Sequence, residues 1–334
     1  MGYHVAILAN LKKNAPTTGN LPPDAWADLD SERTIDGVRA VLESADHRVS
    51  FLEADHTLLD TIRAAKPDIC FNMAEGHHGD SRESQVPALL EMLQIPYTGS
   101  KVLAHAIGLD KAMTKRIWQT FGLATAPWQV FRTADDPLDP TLRYPLFVKP
   151  LSEGTGIGIS TQSIVHSAAE LRERVAYTLA TYQQPALVER FLSGRELTVG
   201  VIGSLPDQVV LPPVQIDTRQ IAPDQLGIYT YHVKAHFDET FYVFIPTDLA
   251  PGMAERVQQL AQDGFNAIGT LDVARLDLRF DDAGDPFLLE INTLPGLSPD
   301  FSDLCLCANL AGKDYTWLIT SILNSALKRY GMHA

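Results

Sequence analysis

Arg275, Asp277, Glu290 and Asn292 stand in two apolar-rich runs, Val273–Phe280 and Pro286–Asn292, separated by Asp281-Asp-Ala-Gly-Asp285. A period near two on either side of turn chemistry predicts an antiparallel hairpin. Strand side chains alternate between faces, so Arg275, Asp277 and Arg279 project one way and Ala274, Leu276 and Leu278 the other. On the return strand the same period places Leu288, Glu290 and Asn292 on one face. If the faces of Asp277 and Glu290 coincide, two carboxylates, an amide oxygen and a guanidinium converge. Carboxylates that close need a counter-charge, and oxygen donors of this kind suit a hard cation such as magnesium. A solvated surface hairpin is the plainer alternative. The interleaving of Glu290 and Asn292 with Leu288, Leu289 and Ile291 argues against it.

A second group of residues suits anions. Lys149 closes the apolar run Pro145–Pro150, where a lone charge is costly unless it meets an opposite one. Ser152-Glu-Gly-Thr-Gly-Ile-Gly158 follows at once, and its spaced glycines let backbone amides approach phosphate oxygens. The dinucleotide fingerprint requires a helix to begin at the glycines, whereas Ile157–Ser160 reads as another strand; no Walker A pattern is present. The segment therefore reads as a phosphate flap between strands, containing Glu153, Gly154 and Gly156. Glu189, in the strand Ala186–Leu192, is a second acid within an apolar run, and Glu196 opens the strand after it. Lys234, in Tyr229–Ala235, is a further cation for phosphate. Glu75, His77, His78 and Asp80 lack the spacing of a structural metal site and read as a polar loop at a substrate edge.

These groups need elements to hold them. Val5–Ala9, Val49–Glu53 and Ile69–Asn72 read as strands, and a helix opens at Asp30-Ser-Glu-Arg33 with an N-cap from Asp30 or Ser31. Strand alternating with helix implies a parallel, doubly wound sheet whose ligands gather beyond the carboxyl ends of the strands. Glu32 and the residues after Phe71 belong to that edge. The polar loop from Asn10 to Asp30 is longer than most connections and is expected to be functional. Helices are expected over Ala112–Phe121, Leu171–Thr181, Ala254–Ile268 and Asp314–Tyr330, and a strand at Trp128–Phe131. Turn chemistry at Ile95–Ser100 marks a domain exit.

The whole chain sets bounds on these readings. A length of 334 residues implies about two or three compact units. A net charge of -14 argues against a nucleic-acid partner. No apolar run approaches a membrane span, and Tyr3–Ala9 looks like a strand rather than a signal peptide. Cys70, Cys305 and Cys307 are too badly spaced for a disulfide framework and read as small buried hydrophobes. The cytoplasm is the default compartment.

The assembled motifs resemble the ATP-grasp superfamily and, within it, the D-alanine–D-alanine ligase family over nearly the full length. The matching pieces are Asp30–Arg33, Leu90–Ser100, Leu109–Lys111, Val148–Pro150 with its glycine loop, Leu187–Val199, Ala274–Asp277 and Glu290–Gly296. The resemblance implies an α/β, ATP-grasp fold with an N-terminal doubly wound parallel-sheet domain over residues 1–102. A central subdomain, 103–192, bears the flap, and a C-terminal one, 193–334, the metal site. It implies a homodimeric, ATP-dependent carboxylate–amine ligase that forms an amide bond through an acyl phosphate. By this resemblance Lys111 and Lys149 hold ATP phosphates under the Glu153, Gly154 and Gly156 flap. Glu189 meets the adenine amino group, the backbone of Phe191 and Leu192 the adenine edge, Glu196 the ribose, and Lys234 the transferred phosphate. Asp277, Glu290 and Asn292 bind two magnesium ions, with manganese as a substitute. Arg275 and the amide of Gly296 face the oxyanion, while Glu32 and Thr155 organise the first substrate's subsite.

Three departures concern the substrates. Ala235 stands where the family has Tyr, Glu75 where it has His, and Ser298-Pro-Asp-Phe301-Ser-Asp303 where Ser and Leu grip the second carboxylate. A ligase acting on amino acids other than D-alanine, and an ATP-binding regulatory protein, are the alternatives. A dinucleotide-dependent oxidoreductase is the weaker reading of the glycine loop.

Overall fold

The computed structural model describes residues 2–333 other than 18–20, 23, 217–243, 247, 251 and 300. His4–Ala9 (β1) is buried at every position, as a strand covered on both faces must be. It runs parallel to Arg48–Glu53 (β2) and Ile69–Asn72 (β3), in the order β2-β1-β3. Val5, Ile7 and Ala9 pack into one apolar core and Ala6 and Leu8 into another, so the sheet is covered on both sides. Glu32–Ser44 (α1) starts where the Ser31 side chain accepts from the Thr34 amide, and it buries Ile35, Val38, Val41 and Leu42 on one stripe. Leu58–Ala65 (α2) makes the second crossover on the opposite face. The loop before α1 is tied back to the sheet by Lys12 N to Asp30 O, 2.9 Å, and Asp30 N to Asn10 O, 3.0 Å. That tie brings Asp28 and Asp30 to the carboxyl edge of the strands.

Gln85–Leu93 (α3), Val102–Leu109 (α4) and Lys111–Thr120 (α5) lead to a four-stranded antiparallel sheet. It contains Trp128–Phe131 (β4), Leu146–Pro150 (β5), Ile164–Val165 (β6) and Ala186–Arg190 (β7), ordered β4-β7-β5-β6 and backed by Ala168–Tyr182 (α6). The glycine-rich segment joins β5 to β6. The strand expected at Ile157–Ser160 does not form: Thr155, Gly156 and Gly158 take φ of 52°, 74° and 75°. Left-handed residues at that spacing coil the chain into turns.

Glu196–Ile202 (β8) lies within the third sheet, with Val209–Val210 (β9), Val214–Ile216 (β10), Phe244–Pro246 (β11), Val273–Phe280 (β12) and Pro286–Asn292 (β13). The order is β11-β10-β8-β12-β13, with β9 on β8. Met253–Ile268 (α7) packs Val257, Ala261 and Phe265 against Leu197, Leu276, Leu278 and Leu288. Asp303–Leu310 (α8) and Tyr315–Arg329 (α9) join the core that α1 shares with β1, so the first and third sheets are continuous through packed side chains. All three cysteines are buried thiols. Among the described residues no helix is long and apolar enough to cross a membrane.

Candidate active site

The β12–β13 hairpin forms with Asp277 directly opposite Glu290 and Arg275 opposite Asn292. The ladder shifts between Asp277 and Leu278, so that Leu278 faces Leu288 and Leu289 is the extra residue. This bulge corrects one expectation: Leu288 does not share a face with Glu290 but is fully buried in the α7 core beside Leu276 and Leu278. The polar face is thereby kept for Arg275, Asp277, Glu290 and Asn292. Asp277 accepts from Arg275 Nε at 3.0 Å and Nη2 at 2.8 Å, from Thr198 Oγ at 2.8 Å and from Asn292 Nδ2 at 3.0 Å. Asp303, at the start of α8, takes the other guanidinium nitrogen of Arg275 at 3.2 Å. Burial would pull the Arg275 pKa down, but Asp277 and Asp303 outweigh it and hold it well above the usual range.

The lysines arrive from α5 and from β5 of the other sheet. Asp110 caps α5 by accepting from the amides of Ala112 and Met113, which places Lys111 at the first helical position. Its Nζ donates to the Glu153 carbonyl and lies 3.5 Å from Glu290 Oε2. Lys149, on β5, lies 2.9 Å from Glu189 Oε1 and 3.7 Å from the same Glu290 oxygen. Burial acts to depress the Lys149 ammonium; Glu189 and Glu290 together overcome that and raise it. Lys115, one helical turn after Lys111, was not singled out from the sequence. It is fully buried, 2.8 Å from Glu189 Oε2 and 2.8 Å from Thr125 Oγ. Burial lowers its pKa, with Glu189 only partly offsetting the effect. The i, i+4 spacing from Lys111 was the signal that could have found it. Both oxygens of Glu189 are engaged by these two lysines, and they hold its pKa low against its burial. Its side chain is therefore the counter-ion of both lysines.

Two adjoining cavities open beside these groups. The first is lined by Lys149, Gly156, Glu189, Phe191, Leu192 and Glu196 among others. Phe191 stacks on Phe147 with ring centroids 6.2 Å apart, and Arg279 lies over Phe191 while binding Glu196 at 3.1 Å. The second cavity is lined by Lys111, Glu153, Gly154, Asn292 and Gly296, together with Asp28, Asp30, Glu75, Arg82 and Glu83 from the first domain. Thr155 and Arg275 line both, so the cavities meet there. Glu32 is a correction: it opens α1 with its side chain 66% exposed and paired to Lys13 at 2.6 Å, while Asp30, ahead of the Ser31 cap, lines the cavity instead. Lys234 and Ala235 lie outside the described residues. His77 and His78 sit edge-on to Trp26 in an outer groove, and among the described residues no group of three or more His, Cys, Asp or Glu could hold a metal ion. The donor set of Asp277, Glu290 and Asn292 nevertheless fits magnesium, which takes one or two carboxylates and fills its remaining positions with phosphate oxygens and water.

A doubly wound parallel sheet followed by two antiparallel sheets, with a lysine-bearing sheet facing a carboxylate hairpin, is the ATP-grasp fold. The family model for the D-ala D-ala ligase C-terminus matches residues 117–324. The chain is 34% identical to a D-alanine–D-alanine ligase of Bordetella avium, over 87% of this chain and 88% of that one. It is equally 34% identical to an uncharacterized protein, y4sG, of Sinorhizobium fredii, over 92% and 91%. The crystal structure of the D-alanine–D-alanine ligase of Bacillus anthracis complexed with ATP superposes with a TM-score of 0.74 at 22% identity, covering 99% of both chains. The chain belongs to the D-alanine–D-alanine ligase family.

Proposed function

We propose that the protein is an ATP- and magnesium-dependent ligase that joins the carboxylate of an amino acid to an amine. The observation that carries this reading is the meeting of two cavities at Arg275 and Thr155, with Lys111 and Lys149 converging on Glu290 at 3.5 and 3.7 Å. The nucleotide belongs in the Phe191 cavity, its phosphates running past Lys149 toward Lys111 beneath the flap. The acid and amine belong in the second cavity. Residues 1–102, 103–192 and 193–334 then supply the substrate side, the flap and the metal site.

Phosphoryl transfer needs positioning and charge neutralisation more than covalent chemistry. The substrate carboxylate attacks the γ-phosphorus, the bond to the β,γ-bridging oxygen breaks, and ADP leaves. The amine then attacks the acyl carbon, and the tetrahedral oxyanion collapses with loss of phosphate and a proton. Magnesium bound at Asp277, Glu290 and Asn292 would supply charge neutralisation on the phosphates. Lys111 and Lys149 offset negative charge that Glu290 and the phosphates otherwise concentrate. Arg275, fixed on two sides by Asp277 and Asp303, is preorganised for the oxyanion, a role worth roughly 3–4 kcal/mol. The segment Glu153–Gly158 shuts water away from the acyl phosphate.

ADP release measured across pairs of amino acids and amines should depend on the pair and disappear in Glu290→Gln. Equal turnover in that variant would sink the reading. Tight ATP binding without ADP from any pair would turn it toward a regulatory protein.

A further inference from the structure

The carboxylates of Asp28, Asp30, Glu75, Glu83 and Glu153 line the second cavity. Among the described residues the cations on its wall are Arg82, Lys111 and Arg275. Arg275 is held by Asp277 and Asp303 at 2.8 and 3.2 Å, and Lys111 turns to Glu290 and the Glu153 carbonyl. Among the described residues only Arg82 pairs with these acids, binding Asp28 at 3.0 Å and Glu153 at 3.2 Å. Asp30 and Glu75 have no cation in ion-pair range among the described residues. Glu83 accepts from Thr293 Oγ1 at 3.2 Å, and the one basic group in ion-pair range of it among the described residues is His105, 3.9 Å away. Burial pushes that imidazole's pKa down to about 4 and keeps it neutral.

Asn72 supplies an independent sign. It is 5% exposed and lines the same cavity, yet its side-chain N–H group has no acceptor among the described residues. A buried orphaned donor costs about 1–3 kcal/mol. Asn72 closes β3, and its side-chain oxygen already accepts from the Ala74 amide, so the N–H is fixed in place. Surplus acceptors beside a fixed, unmet donor form a wall shaped for a ligand that brings both a cation and an acceptor.

We propose that the acid substrate is an amino acid with a second positive group on its side chain, an amine or a guanidinium, and that Glu75 and Glu83 select it. The inference rests on the ligase reading for its assignment of this cavity to the acid. One carboxylate, Asp30, meets an α-ammonium; Glu75 and Glu83 remain for the side-chain cation, which they bind through charge-assisted hydrogen bonds. Gly76, whose amide donates to Asn10 Oδ1 at 2.8 Å, anchors the Glu75 loop to the end of β1. Burial, then repulsion from Glu83 and Asp28, raises Glu75, and burial pushes Asp30 and Glu83 up to about 7. The histidine that the family resemblance puts in place of Glu75 would not attract such a side chain, so the substitution changes the sign of what the cavity accepts.

Calorimetric binding of lysine, ornithine, arginine, alanine and glutamate, each enantiomer separately, tests this on the whole protein with magnesium and a non-hydrolysable ATP analogue. Cationic amino acids are expected to bind at least about 30-fold more tightly than alanine, the effect of a buried charge pair. Glu75→Gln and Glu83→Gln are each expected to remove most of that preference while the affinity for the nucleotide analogue is retained. Tighter binding of alanine or glutamate by the unaltered protein would overturn the proposal, as would an unchanged preference in both variants. ADP release on the same panel separates the two readings. Cation-selective binding with no ADP leaves the cavity assignment standing and removes the ligase, whereas turnover on neutral acids alone keeps the ligase and removes the cationic substrate.

Discussion

Arg275 and Asp277, two residues apart on β12, form a two-bonded ion pair, Nε to Oδ1 at 3.0 Å and Nη2 to Oδ2 at 2.8 Å. The guanidinium proposed to face the oxyanion is therefore the counter-ion of the carboxylate proposed to bind magnesium. Removing it leaves Asp277 and Asp303 buried together. Arg275→Met should cost about 3–5 kcal/mol of stability, the usual consequence of breaking a buried pair, and lower turnover by roughly 100-fold or more. Magnesium supplies the missing positive charge, so it should raise the melting temperature of the variant more than that of the parent. Thermal unfolding with and without magnesium reads this directly; equal increments would show that the cation does not bind at Asp277.

Glu189 neutralises two buried lysines at once, at 2.8 and 2.9 Å. Glu189→Gln should destabilise the protein by about 3–5 kcal/mol and weaken nucleotide binding as Lys149 loses the partner that sustains its charge. Lys115→Met in the same background removes one of the uncompensated charges and should restore part of the stability. Denaturant midpoints of the two variants check both statements.

Stability should decline as pH rises through neutrality in the absence of ligand. Asp30 and Glu83 are pushed up from ordinary values of 3.8 and 4.5 to about 7, chiefly by burial. Between the ordinary and raised values the folded chain binds more protons than the unfolded one. Their contribution is complete below the ordinary values and is lost as pH climbs through about 7. Melting temperatures measured from pH 5 to pH 8 at fixed ionic strength should therefore fall, and Glu83→Gln should flatten the slope.

The flap is anchored from the first domain, where Asp24 Oδ2 accepts the Gly158 amide at 2.8 Å. Gly158 has φ +75°, and a Cβ there would lie 2.5 Å from Pro150 Cγ. Gly158→Ala should displace the flap, costing about 1–3 kcal/mol, and raise KM for ATP while leaving the metal-site residues in place. An unchanged KM would mean that the flap does not cover the nucleotide.

Much of this site was legible in the chain. Ile69–Asn72 and Trp128–Phe131 form as strands with the expected bounds, and the hairpin places Asp277 opposite Glu290. Period and turn chemistry are local properties, and they suffice for elements of this kind. Lys149 could be marked as an anion partner because a charge closing an apolar run implies a partner, whatever its position, whereas Lys111 was marked by the family resemblance alone. The bulge at Leu289, which turned Leu288 into core, had no local sign, since one extra residue inverts every later side chain. Glu32 and Asp30 are two residues apart, and only the start of α1 decided which of them reached the cavity.

The sequence by itself determined that acids, lysines and a glycine-rich segment would stand at strand and helix ends facing a ligand. Tertiary structure decided the pairing: Lys115 with Glu189, Asp303 with Arg275, and the acids of the first domain gathered around Arg82. Each of those contacts joins elements distant in the chain, and its energy depends on burial and distance, quantities that exist only once the sheets have packed.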